Sequence, residues 1–260
     1  MNHLDISHTI DDKIVADSIA GISLENPSAK KLVIGGGIAV QSFIPAHYHR
    51  FTSDLDIEVR EPLNPETYRQ LMQQAFEYLR SLGYEVEGPK KERQTLTTLV
   101  KDIKNILELQ TQRRTKNNAE KNSCRIGREI DSAVRKKIGV VECSVLRPED
   151  LVLRKLLRVM RYAKEYDFSP LPHTGNVDDY FRYIRDLREH NLRNFDNLAP
   201  EEVIHLRMQA DLFDIVALAV YTELDKDYLQ KAFGDYDIFK IDERRTKRLF
   251  SLVHPSLDLD

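Results

Sequence analysis

Apolar residues recur along this chain with two different periods, and the change of period divides it. From Ile10 to Ala20 the positions Ile10, Ile14, Val15 and Ile19 are spaced for one face of a helix. Leu24 to Lys30 is a polar connector containing Pro27. Lys31 to Ile34 is a short apolar run that ends in Gly35-Gly36-Gly37, and Ile38 to Ile44 is apolar again, so the order predicted is strand, tight turn, short helix. A polar loop then leads into Asp54-Leu55-Asp56-Ile57-Glu58-Val59, where charge and hydrocarbon alternate strictly. That period of two predicts a strand with Asp54 and Asp56 on one face and Leu55, Ile57 and Val59 on the other.

Arg60 to Leu63 reads as a turn, and Asn64-Pro65-Glu66 as a helix start with an N-cap side chain and proline at the first helical position. Tyr68, Leu71, Met72, Ala75 and Leu79 form its apolar face, and Gly83 is its stop. Tyr84 to Val86 begins a further strand. Thr95 to Val100 and Ile106 to Thr111 make a hairpin, with Ile106, Glu108 and Gln110 on the face opposite Leu107 and Leu109. Residues 113–137 carry nine Arg and Lys against three Asp and Glu and read as a solvated basic loop. Val140 to Leu146 is one more strand. From Arg147 onward the period is helical: helices are predicted over 148–166, 178–190, 200–222, 225–233 and 242–252, with a loop at 166–177 marked by Pro170, Pro172 and Gly175. The domains expected are an α/β half, residues 1–146, and an all-helical half, residues 147–260.

Composition narrows the classes. In 260 residues, 31% are charged, none is tryptophan and the formal net charge is −3, so the whole molecule is no generic polyanion binder and any nucleic-acid contact must be local. Only Cys124 and Cys143 are present, which argues against a disulfide framework and for a reducing compartment. The N-terminus lacks the basic-then-apolar pattern of a signal peptide, and no apolar run approaches membrane-spanning length, so the expected location is the cytoplasm.

The chemistry concentrates around the aspartates. Two carboxylates on adjacent rungs repel unless a cation lies between them or one is protonated, and an oxygen-rich pair suits Mg²⁺ that also holds a phosphate. Backbone amides at a glycine turn entering a helix suit an anion, although glycine clusters also make ordinary turns. Neither GxxxxGK[ST] nor GxGxxG is present, so a P-loop and a dinucleotide fold are not favoured. His47 and His49 flank Tyr48, but no complementary Cys/His set follows, and a structural or substrate-shaping role is the expected one.

A glycine turn followed by D-x-D on the next strand is the order found in nucleotidyltransferases related to DNA polymerase β. The stretch GGGIAVQSFIPAHYHRFTSDLDIEV resembles one branch, the AbiEii-like toxins of abortive-infection and toxin–antitoxin systems, whose signature has the form GG[ST]AL…HR.[ST].DLD. Gly35, Gly36, His49, Arg50, Thr52, Asp54, Leu55 and Asp56 fit it; Gly37 stands where the family carries a hydroxyl. RPEDLVLRKL is similar to the family's acidic pair followed by a helical lysine, here Lys155, and RMQADLFDIVALAVYTELDKDYL to a run with a catalytic acid, here Asp211 with Asp214 one turn on. The spacing from Lys155 is longer than the family's, as if residues 164–205 were inserted, which leaves Asp179 as the competing acid. Arg154 and Arg158 read as surface residues.

What the resemblance implies is a polymerase-β-like α/β (α+β) nucleotidyltransferase domain with a mixed sheet, followed by a helical domain. The activity would be Mg²⁺-dependent transfer of a nucleoside monophosphate from an NTP to an acceptor hydroxyl. Asp54, Asp56 and a third carboxylate would hold two Mg²⁺ ions. Glu108 is the first choice for the third, with Asp102 and Glu142 open. Gly36, Gly37, Thr52 and Lys155 would bind the nucleotide, supported by Asp211. The partners implied are an RNA or tRNA acceptor, contacted by the basic segment 113–137, and a cognate antitoxin. The rival readings are a nucleotidyltransferase acting on a small molecule or protein, and a catalytically degenerate member that binds RNA or a partner.

Overall fold

The computed structural model describes residues 12–24, 32–50, 52, 54–61, 63–91, 95–112, 116–165, 178, 182 and 199–235. The expected loop 166–177, the expected helix 242–252, Asp179 and most of the expected helix 178–190 lie outside these residues. Contacts divide the chain into two compact units, one of His8–Ser42 and Phe51–Arg147, the other of Met1–Ser7, Phe43–Arg50 and Pro148–Asp260.

The first unit is built on a seven-stranded sheet, mixed as the resemblance implies, with one strand more than the sequence pattern predicts. In chain order its elements are α1 (Asp12–Leu24), β1 (Val33–Ile34), α2 (Gly36–Gln41), β2 (Asp54–Glu58), α3 (Pro65–Leu71), α4 (Gln73–Ser81), β3 (Glu85–Lys91), β4 (Thr95–Lys101), β5 (Ile106–Gln112), α5 (Lys116–Asp131), β6 (Val134–Ile138) and β7 (Val141–Val145). The strand order is β3-β4-β5-β2-β1-β7-β6. β2 runs parallel to β5 and β1 parallel to β7, while the other neighbours are antiparallel. The alternation in β2 does what it predicts: Leu55 and Ile57 are buried, and Leu107 and Leu109 of β5 and Leu96 and Val100 of β4 continue the same apolar face. Tyr68 of α3 lies over that face, its hydroxyl 3.4 Å from Thr98 Oγ1.

The expected single helix after Pro65 is two, α3 and α4, separated at Met72. Its start is as the sequence predicts: Asn64 Oδ1 accepts the Thr67 backbone N–H at 2.9 Å, and Pro65 occupies the first turn, where a missing donor costs nothing. Asn64→Ala is expected to lower stability by about 1 kcal/mol, the usual worth of an N-cap, measured by urea unfolding.

Residues 113–137 correct the expected solvated loop. They contain the helix α5 and the strand β6. Ile126 and Ile130, one turn apart, are buried. In β6 the exposed Arg135 and Lys137 alternate with the half-buried Val134, Lys136 and Ile138. The basic residues hid a period of two, because long cationic side chains can lay apolar stems along a sheet while their charged ends stay in water. Gly139, with φ 58°, turns β6 into β7.

The second unit is helical: α6 (Pro148–Glu165), α7 (Pro200–Tyr221) and α8 (Lys226–Gly234). Val159 of α6 packs with Met208 and Leu212 of α7, and Leu153 with Leu229 and Ala232 of α8. The acids in the first turn of α6 are buried and tie down α8: Glu149 Oε1 accepts the Asp225 backbone N–H at 2.7 Å, and the Tyr228 hydroxyl donates to Asp150 Oδ2 at 2.8 Å. Phe43–Arg50 also belongs to this unit, although the sequence reading places it in the α/β half. Two side chains account for the difference: Arg50 pairs with Asp214, and the Tyr48 ring lies 5.1 Å from that of Tyr221. Among the described residues no helix is long and apolar enough to cross a membrane.

Candidate active site

β1 lies antiparallel to β2, with Ile34 opposite Ile57, and the chain leaves β1 at Gly35, whose N–H donates to the Asp56 carbonyl at 2.9 Å. The glycine turn is thereby held against the aspartate strand. Gly36 takes φ 65°, in the left-handed region, and a Cβ there would fall 1.7 Å from Asp56 Oδ2. Backbone conformation and the carboxylate each demand glycine at this position. Gly37 follows as a buried residue in the first turn of α2. Gly36→Ala is expected to cost more than about 1 kcal/mol, because it combines a disfavoured backbone with displacement of the Asp56 carboxylate. Thermal unfolding reads the stability loss, and Mn²⁺ binding reads the displaced carboxylate.

The parallel pairing of β2 with β5 sets Asp54 opposite Glu108 and Asp56 opposite Gln110. All four are half-buried and share the face opposite Leu55 and Leu109. Thr52 Oγ1 donates to Asp54 Oδ1, and Gln110 Nε2 to Glu108 Oε2, both at 2.9 Å. The other two candidates for a third carboxylate are engaged elsewhere. Asp102 closes the β4–β5 turn by accepting the backbone N–H groups of Lys104 and Asn105 at 2.7 and 2.6 Å. Burial would raise its carboxyl pKa, but the Asn105 side-chain amide together with those backbone bonds holds it below the ordinary value. Glu142 is exposed on β7, opposite Lys137 and 3.8 Å from Arg135, with β1 between its strand and β2. Glu108 is the one that stands in register with the aspartate pair.

Among the described residues, no three His, Cys, Asp or Glu side chains converge as a metal site: Glu108 is turned to Gln110 and Asp54 to Thr52. The donor set nevertheless fits Mg²⁺ in kind, since it offers hard carboxylate oxygens and no nitrogen or sulfur ligand. Neighbouring strands lie about 4.8 Å apart, which is within the span of an aspartate and a glutamate side chain.

Lys155 and Asp211 are in the helical unit, joined to each other. Lys155 Nζ is 2.6 Å from Asp214 Oδ2 and 3.2 Å from Asp211 Oδ1. Arg158 donates to both oxygens of Asp211, and Arg50 to both oxygens of Asp214, through Nε at 2.8 Å in the latter case. Lys155, Asp211 and Asp214 are at most 3% exposed. Burial alone would raise both carboxyls, but Lys155 and Arg158 outweigh it at Asp211, and Arg50 and Lys155 outweigh it at Asp214, whose pKa falls to about 2. Arg158, expected at the surface, is half exposed along its length while its guanidinium is committed to Asp211. The signal for it is helical spacing, three residues after Lys155.

His49 Nε2 lies 3.2 Å from the Ile44 carbonyl, and the His47 ring packs 4.1 Å from that of Tyr48. Cys143 is buried, which pushes its thiol up to about 11, and Cys124 is exposed.

No protein-family model matches the sequence, and comparison with curated proteins finds no relative. Among solved structures the chain is similar to an antigenic nucleotidyltransferase-like protein from Paracoccidioides brasiliensis, at 13% identity over 92% of this chain and 93% of that one, with a TM-score of 0.44. It is similar also to MenT4, a nucleotidyltransferase toxin from Mycobacterium tuberculosis H37Rv, at 13% identity over 93% and 90%, with a TM-score of 0.41. A third is the antibiotic-resistance factor ANT(2'')-Ia, at 12% identity over 90% and 97%, with a TM-score of 0.36. At such identities and scores the functional case rests on this chain's own residues.

Proposed function

We propose that the chain is a Mg²⁺-dependent nucleotidyltransferase that moves a nucleoside monophosphate from an NTP to an acceptor hydroxyl. The observation that carries this reading is the β2–β5 register, which places Asp54, Asp56 and Glu108 on one strand face beside a glycine turn packed against Asp56. In the reaction the acceptor oxygen bonds to the α-phosphorus, the bond to the β-phosphate oxygen breaks, and pyrophosphate leaves. Asp54, Asp56 and Glu108 would hold two Mg²⁺ ions, which offset charge on the transferring phosphoryl group and on the leaving pyrophosphate. Glu108 would take the proton of the attacking hydroxyl. Thr52 fixes Asp54 through their hydrogen bond. Gly36 and Gly37 offer backbone amides to the triphosphate, with no side chain to block approach. The sequence resemblance assigns Lys155 to the triphosphate as a point charge, with Asp211 as its support.

The same resemblance supports RNA, tRNA first, as the acceptor, a toxin role and a cognate antitoxin. To identify the acceptor, the protein is incubated with Mg²⁺, each α-labelled NTP in turn, and total tRNA, small-molecule hydroxyl acceptors or protein. Label on RNA is the expected outcome. Label only on a small molecule or on protein would replace the acceptor and keep the chemistry. The second reading, a non-catalytic member that binds RNA or a partner, is favoured by Gly37 in place of a hydroxyl and by a Lys155 already paired with two aspartates. Absence of turnover with every acceptor, together with RNA binding unaffected by Asp56→Ala, would establish it.

A further inference from the structure

Gln110 is the fourth member of the polar quartet on the β2–β5 face, opposite Asp56 as Glu108 is opposite Asp54. Its Nε2 donates to Glu108 Oε2 at 2.9 Å, and among the described residues that is its one side-chain hydrogen bond. A second polar neighbour is at hand and is not used: Thr97 of β4 stands in register with Gln110 on the same face, and its buried Oγ1 has no hydrogen-bond partner among the described residues. Among the described residues the Glu108 side chain makes no other hydrogen bond or ion pair, so its second oxygen, Oε1, is left to accept a cation or a proton.

The chemistry of the amide fits that place. Two residues apart on a strand, the side chains of 108 and 110 rise from the same face and can bond without leaving it. A glutamine offers donors to a carboxylate and carries no charge, so it can hold one oxygen of Glu108 without competing for the cation. A carboxylate at 110 would put a fourth negative charge beside three others, and a hydrocarbon would leave Glu108 free to rotate. Partners that orient a metal-ligating carboxylate in this way typically change affinity by about 10- to 100-fold when lost.

We propose that Gln110 is a positioning residue for Glu108: by holding Oε2 it presents Oε1 to the metal, and it thereby sets how tightly this face binds a divalent cation. The inference rests on the nucleotidyltransferase reading, and its test separates the two. The probe is Mn²⁺ alone, titrated into the full chain and followed by the loss of the free-Mn²⁺ EPR signal, which needs no turnover. Gln110→Met keeps length and bulk and removes the donors.

The expected result is Mn²⁺ binding weakened about 10- to 100-fold in Gln110→Met, with the thermal midpoint in EDTA equal to that of wild type. In parallel, the Mg²⁺ concentration for half-maximal transfer should rise by a similar factor, with a smaller change in kcat at saturating Mg²⁺. A purely structural role would move the midpoint in EDTA and leave the metal dependence alone. Should Gln110→Met fail to fold, Gln110→Thr, compatible with a strand, must show the same weakening. Binding that Asp56→Asn abolishes but Gln110→Met leaves within twofold of wild type would overturn the positioning role and spare the metal site. A wild-type chain that binds no Mn²⁺, or an Asp56→Asn variant that binds it as well as wild type, would overturn the site and this inference together.

Discussion

Asp56→Asn is expected to lower nucleotidyl transfer by more than about 100-fold, beyond the loss typical of a group that merely orients a metal ligand, while the protein stays folded. The two halves of that expectation have separate causes. Asp56 sits in the middle of β2 with its backbone carbonyl bonded to Gly35 N and its side chain on the half-exposed face, so the isosteric amide disturbs neither the ladder nor the apolar face behind it. Removing one of several neighbouring carboxylates also relieves repulsion among them, and the thermal midpoint should hold or rise slightly. The proposed activity, by contrast, would need an anionic oxygen at that place, because a neutral amide is a poor ligand for a hard cation. Asp56→Glu is the informative companion, since it keeps the charge but needs more room beside the α-carbon of Gly36, and it should recover little activity. An Asp56→Asn variant with near wild-type turnover would remove Asp56 from the reaction.

The largest effect on stability is expected at the other unit. Asp214→Ala leaves Arg50 and Lys155 facing each other across a buried site, with Asp211 already shared between Lys155 and Arg158. Breaking a buried pair by removing one partner costs about 3–5 kcal/mol, a large share of the 5–15 kcal/mol typical of a domain. Urea unfolding at neutral pH should show that loss; a change under about 1 kcal/mol, the scale of an exposed pair, would mean the network is worth no more than a surface one. The pH dependence follows from the same groups. The Asp214 carboxyl is held at about 2 in the folded chain, and that of Asp211 is also lowered, both beneath their ordinary values. The folded state therefore binds fewer protons than the unfolded state on the acid side. The stabilisation is complete above the ordinary carboxylate pKa of about 4, declines as pH falls, and is gone below about 2, where folded Asp214 protonates. In Asp214→Ala the acid limb of a stability–pH curve should be shallower than in wild type.

The parts of the fold that could be read in the sequence are those where local pattern and tertiary demand agree. Leu55 and Ile57 alternate with Asp54, Asp56 and Glu58, so both strand and facing follow from five residues. Asn64 and Pro65 announce a helix start by chemistry that acts within one turn. The choice among Asp102, Glu108 and Glu142 is of another kind, because it depends on which strand lies beside β2 and in what register, and nothing within β5 specifies its neighbour. Charge misled in two places. In α5 and β6 it concealed ordinary periodicity, and at Arg158 a side chain that is half exposed still delivers its guanidinium to a buried carboxylate. Phe43–Arg50 was not legible as part of the helical unit, because its attachment is made by Asp214 and Tyr221, more than 160 residues away. Gln110 was visible in the alternation as a face-mate of Glu108, but the bond between them appears only with coordinates.

The central claim is that the face bearing Asp54, Asp56 and Glu108 transfers a nucleoside monophosphate. The most direct measurement compares α-labelled with γ-labelled NTP in the presence of Mg²⁺ and total tRNA, for wild type and for Asp54→Asn. The account predicts that the α-label enters the acceptor and the γ-label is released as pyrophosphate, and that both events disappear in Asp54→Asn or in EDTA. Incorporation of the γ-label, or α-label incorporation undiminished in Asp54→Asn, would contradict it.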